Sequence, residues 1–382
     1  MSTEPTQPDA GLEHAENAIE LKEVEGLSQG QIVRRRFFRH KGALAGLAVL
    51  LFIIVLATSS VGVGPIPGWW HFTGNETGAM VNPGGRPTLT MPTWLGGTGF
   101  SLGEHPFGQD EVGHDSFARV MRGAQTSLMV MFIIGLTSMI IGVIVGSSAG
   151  YFRGKVDTLL MRATDLVITI PVLVIGAVIG KLAGRVSGML FAVAMGFILW
   201  TGLARLVRGE FLTLREREFV DAARVAGASN TRIIFKHILP NAIGVIIVAT
   251  TLLMSSAILL ETALSYLGFG IQPPEVSLGR LISDYQGAFA TRPWLFWWPG
   301  LFIVAIALSV NFIGDGLRDA FDPRQKRIPS QRKMEKAKLA QRGSGPDDRI
   351  DAAGRPLDSN VERAADNVRR SGGQQGGYSG GS

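Results

Sequence analysis

Cysteine is absent from this 382-residue chain. That excludes a disulfide framework, a thiolate metal site and a thiol nucleophile. Histidine is scarce, and none of the six is spaced from another as HxxxH, so the pattern of a histidine metal site is missing too. A phosphate-cradling loop is also lacking. The nearest approach, Gly150-Tyr151-Phe152-Arg153-Gly154-Lys155-Val156, has one residue too few between its glycines and Val156 where a magnesium-binding hydroxyl belongs. Charge is sparse, at 18% of residues, and it avoids six apolar runs at 43–63, 127–149, 160–180, 186–204, 242–266 and 294–314. Crossing a hydrocarbon core takes about 20 apolar residues. Six such runs with basic flanks exclude a soluble globular domain and predict an all-α integral membrane protein of six spans. The net charge of +6 sits beside these runs, which argues against nucleic acid as its partner and for membrane lipid. The first run starts too far in and is too long for a cleaved signal peptide.

Orientation follows from where lysine and arginine gather. Arg34, Arg35, Arg36, Arg39 and Lys41 precede the first run, and Arg153 and Lys155 lie between the second and third. Arg205, Arg208, Arg215, Arg217, Arg224, Arg232 and Lys236 separate the fourth from the fifth, and Arg318, Arg324, Lys326 and Arg327 follow the sixth. The opposite connections are poorer, with Lys181 and Arg185 as exceptions. Both termini are therefore expected in the cytoplasm. Trp69, Trp70, Trp294, Trp297 and Trp298 then fall near the outer face, as an interfacial belt does.

This order divides the chain. Residues 1–42 form a cytoplasmic lead-in, 43–63 the first span, and 64–123 an extracytoplasmic loop rich in Gly and Pro turns. Residues 124–322 carry five further spans, with a cytoplasmic loop near 208–241. Residues 323–382 have mixed charge, few aromatics and the ending GGQQGGYSGGS, a composition that predicts a disordered cytoplasmic tail.

The loop contains FVDAARVAGASNTRIIFKHILPN. Phe219 to Ala226 read as two helical turns, and Gly227 suits the left-handed position that ends a helix. Ser229 or Asn230 can cap a second short helix through His237, and Pro240 then opens the fifth span. Ala222 and Ala223 are expected to leave a flat patch for the backbone of a partner. A helix-turn-helix that reads DNA has a similar spacing, but attachment to membrane at both ends would deny this one a major groove.

Asp221-Ala222-Ala223, Gly227 and Leu239-Pro240 resemble the EAA loop of ATP-binding cassette importer permeases, with Asp for Glu at the first position and His237 at a usually apolar one. HPFGQDEVGHDSFARVMRGAQTSL (105–128), ETALSYLGFGIQPPEVSLGRL (261–281) and GDGLRDAFDPR (314–324) resemble segments of the dipeptide, oligopeptide and nickel permease family, closest to its "C" subunit. Gln109 and His114 depart from the pattern of the first. The resemblance runs in order over about 30–327. It implies a type I importer permease fold in a bacterial cytoplasmic membrane. It implies half of a translocation path for peptides, with nickel or another small solute as the alternative cargo. It implies four kinds of contact: a second homologous permease, two ATPase subunits, a substrate-binding protein outside, and lipid. Asp221, Ala222, Ala223, Gly227, Leu239 and Pro240 would couple to the ATPases. The chain itself would carry no cofactor, because ATP and Mg belong to those partners, and it would not be an enzyme alone. A secondary transporter would instead need ion-coupling acids at mid-membrane.

Few acids enter the runs. Glu261 is expected near the outer end of the fifth span, either as a packing hydrogen bond or as a lining of the outer cavity in the substrate path. Asp165 has Arg162 three residues away, a same-face partner. Pro171 is expected to kink the third span. Because 323–382 lacks the composition for a core, deleting 335–382 is expected to leave membrane assembly and solute uptake unchanged, measured in membranes of the truncated strain. Loss of assembly would reveal a partner-binding tail.

Overall fold

The structure, a computed structural model, describes residues 29–321 apart from 91, 98 and 184–186. The expected tail at 323–382 and most of the lead-in lie outside the described residues. The helices in chain order are α1 (Gln29–Phe37), α2 (Lys41–Val61), α3 (Ser116–Phe152), α4 (Gly154–Thr169), α5 (Val172–Ala183), α6 (Gly188–Arg215), α7 (Glu218–Val225), α8 (Asn230–Tyr266), α9 (Leu278–Tyr285) and α10 (Trp294–Phe321). Among the described residues, α2, α3, α6, α8 and α10 are each long and apolar enough to cross a membrane. The pair α4 and α5 makes a sixth crossing only as a broken one, bent by 80°.

The third expected span is thus two helices rather than one. Pro171 is the cause. Its ring disfavours helical backbone in the residue before it, and Ile170 sits at φ −88°, ψ 125°, in the extended region. Four other spans run further than their apolar stretches, α10 continuing to Phe321. The α3 helix begins at Ser116, where the Asp115 carboxylate accepts the Ala118 N–H at 2.9 Å as an N-cap. The α6 helix continues to Arg215, and α8 begins twelve residues before the run at 242. A helix ends where its caps are and not where the lipid ends.

Little distinguishes one lipid-facing apolar surface from another, so helix contacts in a bilayer depend on close fit. The α3–α6 contact is built on Gly142, Gly146 and Gly150, one per turn on a single face of α3. A Cβ at Gly142 would stand 3.0 Å from Leu203 Cβ, one at Gly146 2.5 Å from the Ala204 carbonyl oxygen, and one at Gly150 2.7 Å from Phe211 Cβ. Gly196 on α6 meets Thr137 of α3 in the same way. Polar groups reinforce the fit: Ser138 Oγ donates to the Gly196 carbonyl, and Ser255 Oγ on α8 donates to Ala307 on α10, both at 3.1 Å.

Three buried clusters fill the spaces. Phe107, Phe117, Met121, Ile258, Phe302 and Ile306 join α3, α8 and α10. Ile134, Phe191, Met195 and Leu264 join α3, α6 and α8. Around the end of α6, Tyr151, Val207, Phe211, Val220, Ile233 and Ile238 join α3, α6, α7 and α8. Opposite faces remain apolar and exposed, including Phe52 and Val55 on α2 and Ile140 and Ile144 on α3, as lipid contact requires.

Gly146→Leu is expected to destabilise the α3–α6 contact by about 1–3 kcal/mol through overpacking. Gly202→Leu, on an open face of α6 with nothing near its Cβ position, should cost almost nothing. Thermal unfolding of the purified protein in detergent compares the two.

Candidate functional site

The α7 helix carries the DAA sequence. Consecutive residues on a helix lie about 100° apart, so Ala222 and Ala223 cannot share one face. Val220 and Ala223, three residues apart, turn inward onto Phe211, Ile233 and Ile238; Ala223 is 9% exposed. Ala222 turns outward with Val225, which is 90% exposed, and Phe219 flanks them. The flat patch expected of two alanines is therefore a patch of Ala222, Val225 and Phe219, with Ala223 as its footing. Arg224 and Asp221 pair beside it at 2.9 Å.

The end of α7 is fixed by its backbone. Gly227 takes φ +76°. The Gly227 N–H donates to the Arg224 carbonyl at 2.9 Å and the Ala228 N–H to the Ala223 carbonyl at 3.0 Å. These two bonds form the Schellman arrangement, which needs a left-handed residue at Gly227. Ser229 then caps α8, its hydroxyl accepting the Arg232 N–H at 3.4 Å.

The second short helix and the fifth span are not separate elements. They form one 37-residue helix, α8. Pro240 does not open it. Ile233–Ile238 form a π-turn just before Pro240. The wider turn makes room for the proline ring, and Asn241 Nδ2 donates to the His237 carbonyl at 2.6 Å, occupying a carbonyl in the disturbed ladder. Leu239 is half-buried beside the inner cluster, while Pro240, Phe235 and Lys236 are exposed.

Ion pairs tie α4 and its flanking turn to α6. Asp157 receives both Nε and Nη2 of Arg208, at 2.5 and 2.7 Å. Arg153 reaches Glu216 at 2.5 Å. Asp165 pairs with Arg205 of α6 at 2.6 Å, across to a neighbouring helix rather than one turn back to Arg162.

At the other end of α8, Glu261 is 1% exposed. Ser265 Oγ donates to one carboxylate oxygen at 2.7 Å and Ser127 Oγ of α3 to the other at 3.1 Å. Both hydroxyls also accept backbone N–H groups, Ser265 from Ile271 at 3.1 Å and Ser127 from Leu278 at 3.2 Å. Of the two roles open to Glu261, this geometry favours packing: it fastens α8 to α3 and to the segment leading into α9.

The segment between α2 and α3 folds on two acids. Asp115 accepts His105 Nδ1–H and Trp70 Nε1–H, each at 2.8 Å. Asp110 accepts the backbone N–H groups of Val112 and His114 at 3.0 and 2.9 Å, the His114 ring at 2.7 Å, Arg119 at 3.0 Å and the Tyr285 hydroxyl at 3.0 Å. Burial alone pushes the Asp110 carboxyl up, but the hydrogen bonds from His114 and Tyr285 outweigh it and hold it below its ordinary 3.8. Burial pushes the Tyr285 phenol upward as well. Gln109, one of the two departures in the motif, accepts from the Val81 N–H at 2.9 Å and donates to Ala79 and Gly113 at 3.1 and 3.2 Å. Beside this network lies a cleft of about 550 Å³ between Trp70, Phe72, Arg119, Arg122 and Glu275. Trp70, Phe117, Phe107 and Trp298 form a chain of ring contacts, of which Phe107 and Trp298 are stacked with centroids 3.9 Å apart. Trp69, Trp70 and Trp298 thus join one aromatic cluster, with Trp69 largely exposed at its edge, while Trp297 lies in a separate group with Phe289 and Phe296.

The sequence motif marked the segment at 219–241 but not Phe219, Val225 and Phe235 as its exposed apolar residues. Their helical spacing against Val220 and Ala223 carried that signal. No local pattern pointed to Tyr285 meeting Asp110, 175 positions away in sequence.

Residues 142–327 match the model of the binding-protein-dependent transport system inner membrane component, and 28–66 match the N-terminal TM domain of oligopeptide transport permease C. The chain is 38% identical over 315 residues to the oligopeptide transport system permease protein OppC of Haemophilus influenzae, covering 82% of this chain and 95% of that one. It is 37% identical to OppC of Salmonella typhimurium, over 82% of this chain and 97% of the relative. It is 36% identical to OppC of Mycobacterium tuberculosis, over 80% and 98%. A solved inward-facing form of the MetNI methionine ABC transporter is also similar, with 21% identity, a TM-score of 0.45 and coverage of 53% of this chain and 96% of that one.

The Asp110 carboxylate contributes stability that is full above its ordinary value and is lost as pH falls through the lowered folded value. Asp110→Asn is therefore expected to melt earlier than the parent at neutral pH. The gap should narrow once pH drops below 3.8 and close below the folded value. Thermal melts across pH, monitored by tryptophan fluorescence, check both the sign and the window.

Proposed function

We propose that this chain, which belongs to the oligopeptide-permease C family of binding-protein-dependent inner-membrane components, forms one half of the membrane path of an ATP-driven peptide importer. It is a multi-pass inner-membrane protein, and both matched regions are membrane components. Under the proposal a second, homologous permease supplies the other half. Two ATPase subunits dock below, and a substrate-binding protein delivers cargo outside. Both termini lie in the cytoplasm, consistent with the lysine and arginine distribution. The curated relatives are named for oligopeptide transport, and this supports peptides as the cargo. Hydrolysis of ATP is the work of the partner subunits in the assembled translocase.

The observation that carries the coupling role is the join between α7 and α8. The outward face of α7 offers Ala222, Val225 and Phe219, while its inward face is locked into the cluster that also holds α3, α6 and α8. An ATPase gripping Ala222 and Val225 would move four elements as one body. The α8 helix continues from that join for 37 residues, about 55 Å at the usual rise. Its far end grips α3 and the segment before α9 through Glu261. Closure of the ATPase pair is thereby carried from the cassette to the outer end of the path, and the site alternates between the two faces of the membrane. Coupling of this kind needs an element with two arrangements that both ends bias, and α8 with its attached segments is that element.

Ala222→Trp is expected to weaken ATPase docking by about 2 kcal/mol or more, the scale of a disrupted interface hot spot, and to abolish uptake. Arg224→Ala removes only an exposed ion pair, worth about 0.2–1 kcal/mol, and should leave docking nearly intact. Pull-down of the ATPase subunits in detergent, with peptide uptake assayed in parallel, distinguishes them. Retained docking and uptake in Ala222→Trp would overturn the coupling role.

A further inference from the structure

Behind the coupling helix, one side chain outside the family motif joins three elements. Tyr151, next to last in α3, is buried in the cluster that holds Val220 and Ala223 of α7 and Ile233 and Ile234 of α8. Its hydroxyl donates to Asn230 Oδ1, on the first residue of α8, at 2.7 Å. Its carbonyl accepts from the Arg215 guanidinium at the end of α6. That guanidinium also stands over the Tyr151 ring, 5.6 Å from its centre. Two residues on, Arg153 adopts φ +56°, ψ −165°, a conformation that residues with a side chain avoid. The surroundings hold it there, with its own guanidinium bound to Glu216 at 2.5 Å. The α3–α4 turn is therefore fastened twice to the α6–α7 turn, and through Tyr151 it also reaches the start of α8.

We infer that Tyr151 is a positioning residue for coupling, whose hydroxyl bond to Asn230 fixes the angle of the α7–α8 elbow against α3. Apolar packing resists compression but permits sliding. A hydrogen bond of 2.7 Å is directional and resists it. The need is local, because the π-turn at Ile233–Ile238 begins three residues after Asn230. That turn is the weak point of the α8 ladder. With the elbow held by Tyr151, a push on α7 moves α3, α6 and α8 together. With the hydroxyl gone, the same push slides the elbow and is absorbed at the π-turn before it reaches the membrane.

This inference rests on the reading that α7 receives the ATPase, so the test separates the two. Tyr151→Phe removes one oxygen and keeps the ring, the packing and the Arg215 contact to the carbonyl. The complete transporter carrying it is reconstituted in liposomes with its binding protein. ATP hydrolysis and uptake of labelled trialanine are then measured together. The expected result is normal co-purification of the ATPases, ordinary melting, and a rise of about fivefold in ATP hydrolysed per peptide, the scale of one net hydrogen bond. Asn230→Ala should raise the ratio alike and add nothing in the Tyr151→Phe background, since both remove one interaction. Asn230→Asp, which keeps an acceptor oxygen, should restore the parent ratio. An unchanged ratio in Tyr151→Phe would overturn the inference, as would loss of the ATPases from that variant, because the residue would then serve assembly rather than transmission. Failure of the underlying reading shows elsewhere, as an Ala222→Trp transporter that keeps its ATPases.

Discussion

The backbone approach of α3 to α6 is the contact on which the rest of the molecule depends. Within lipid, apolar side chains gain little by facing one another, and a helix pair is held by how closely its atoms fit. Three glycines a turn apart let α6 settle into α3 until Ala204, Leu203 and Phe211 meet its backbone. The position of α6 then decides the packing at its C-terminal end. Its end places Phe211 under Val220, Arg215 against Tyr151, and Arg208 and Arg205 against the two acids of α4. The α7 segment packs on this end of α6 through Val220 and Ala223.

From that contact, α8 runs as a single helix to a second fixed point. Glu261 is a charged-type side chain with no solvent around it, and such a group is held only when its oxygens are satisfied. Two serine hydroxyls satisfy them, and those hydroxyls in turn accept backbone N–H groups from the following segment. The inner end of α8 is thus tied by apolar packing and one directed hydrogen bond, and the outer end by a buried polar cluster. The π-turn at Ile233–Ile238 lies within the first of these, since Ile233, Ile234 and Ile238 all belong to that apolar cluster.

The segment between α2 and α3 follows a different logic. Its Gly-rich and Pro-rich chain cannot rely on helical propensity, and it is organised around Asp110 and Asp115. Each of these acids gathers backbone, histidine and aromatic donors. Asp115 also caps α3, so the same carboxylate that orders the loop sets where α3 begins. Gln109 and His114, which depart from the family pattern, are two of the residues holding this segment in place.

The sequence by itself determined the apolar runs and the family. Both depend on composition or on residues adjacent in the chain. The turn at Gly227 was legible for the same reason, since a Schellman ending needs only a left-handed residue at one position. Tertiary structure decided the rest. It split Ala222 from Ala223, because only the position of the inner cluster says which side of α7 is buried. It merged the second short helix with the fifth span, because a proline that usually opens a helix is accommodated here by a π-turn and Asn241. It gave Asp165 to Arg205 instead of Arg162, because an ion pair goes to whichever partner the packing brings near. Tyr151 was invisible for the same reason: it stands 79 positions from Asn230, and no local pattern encodes a contact made only when α3, α6 and α8 are packed.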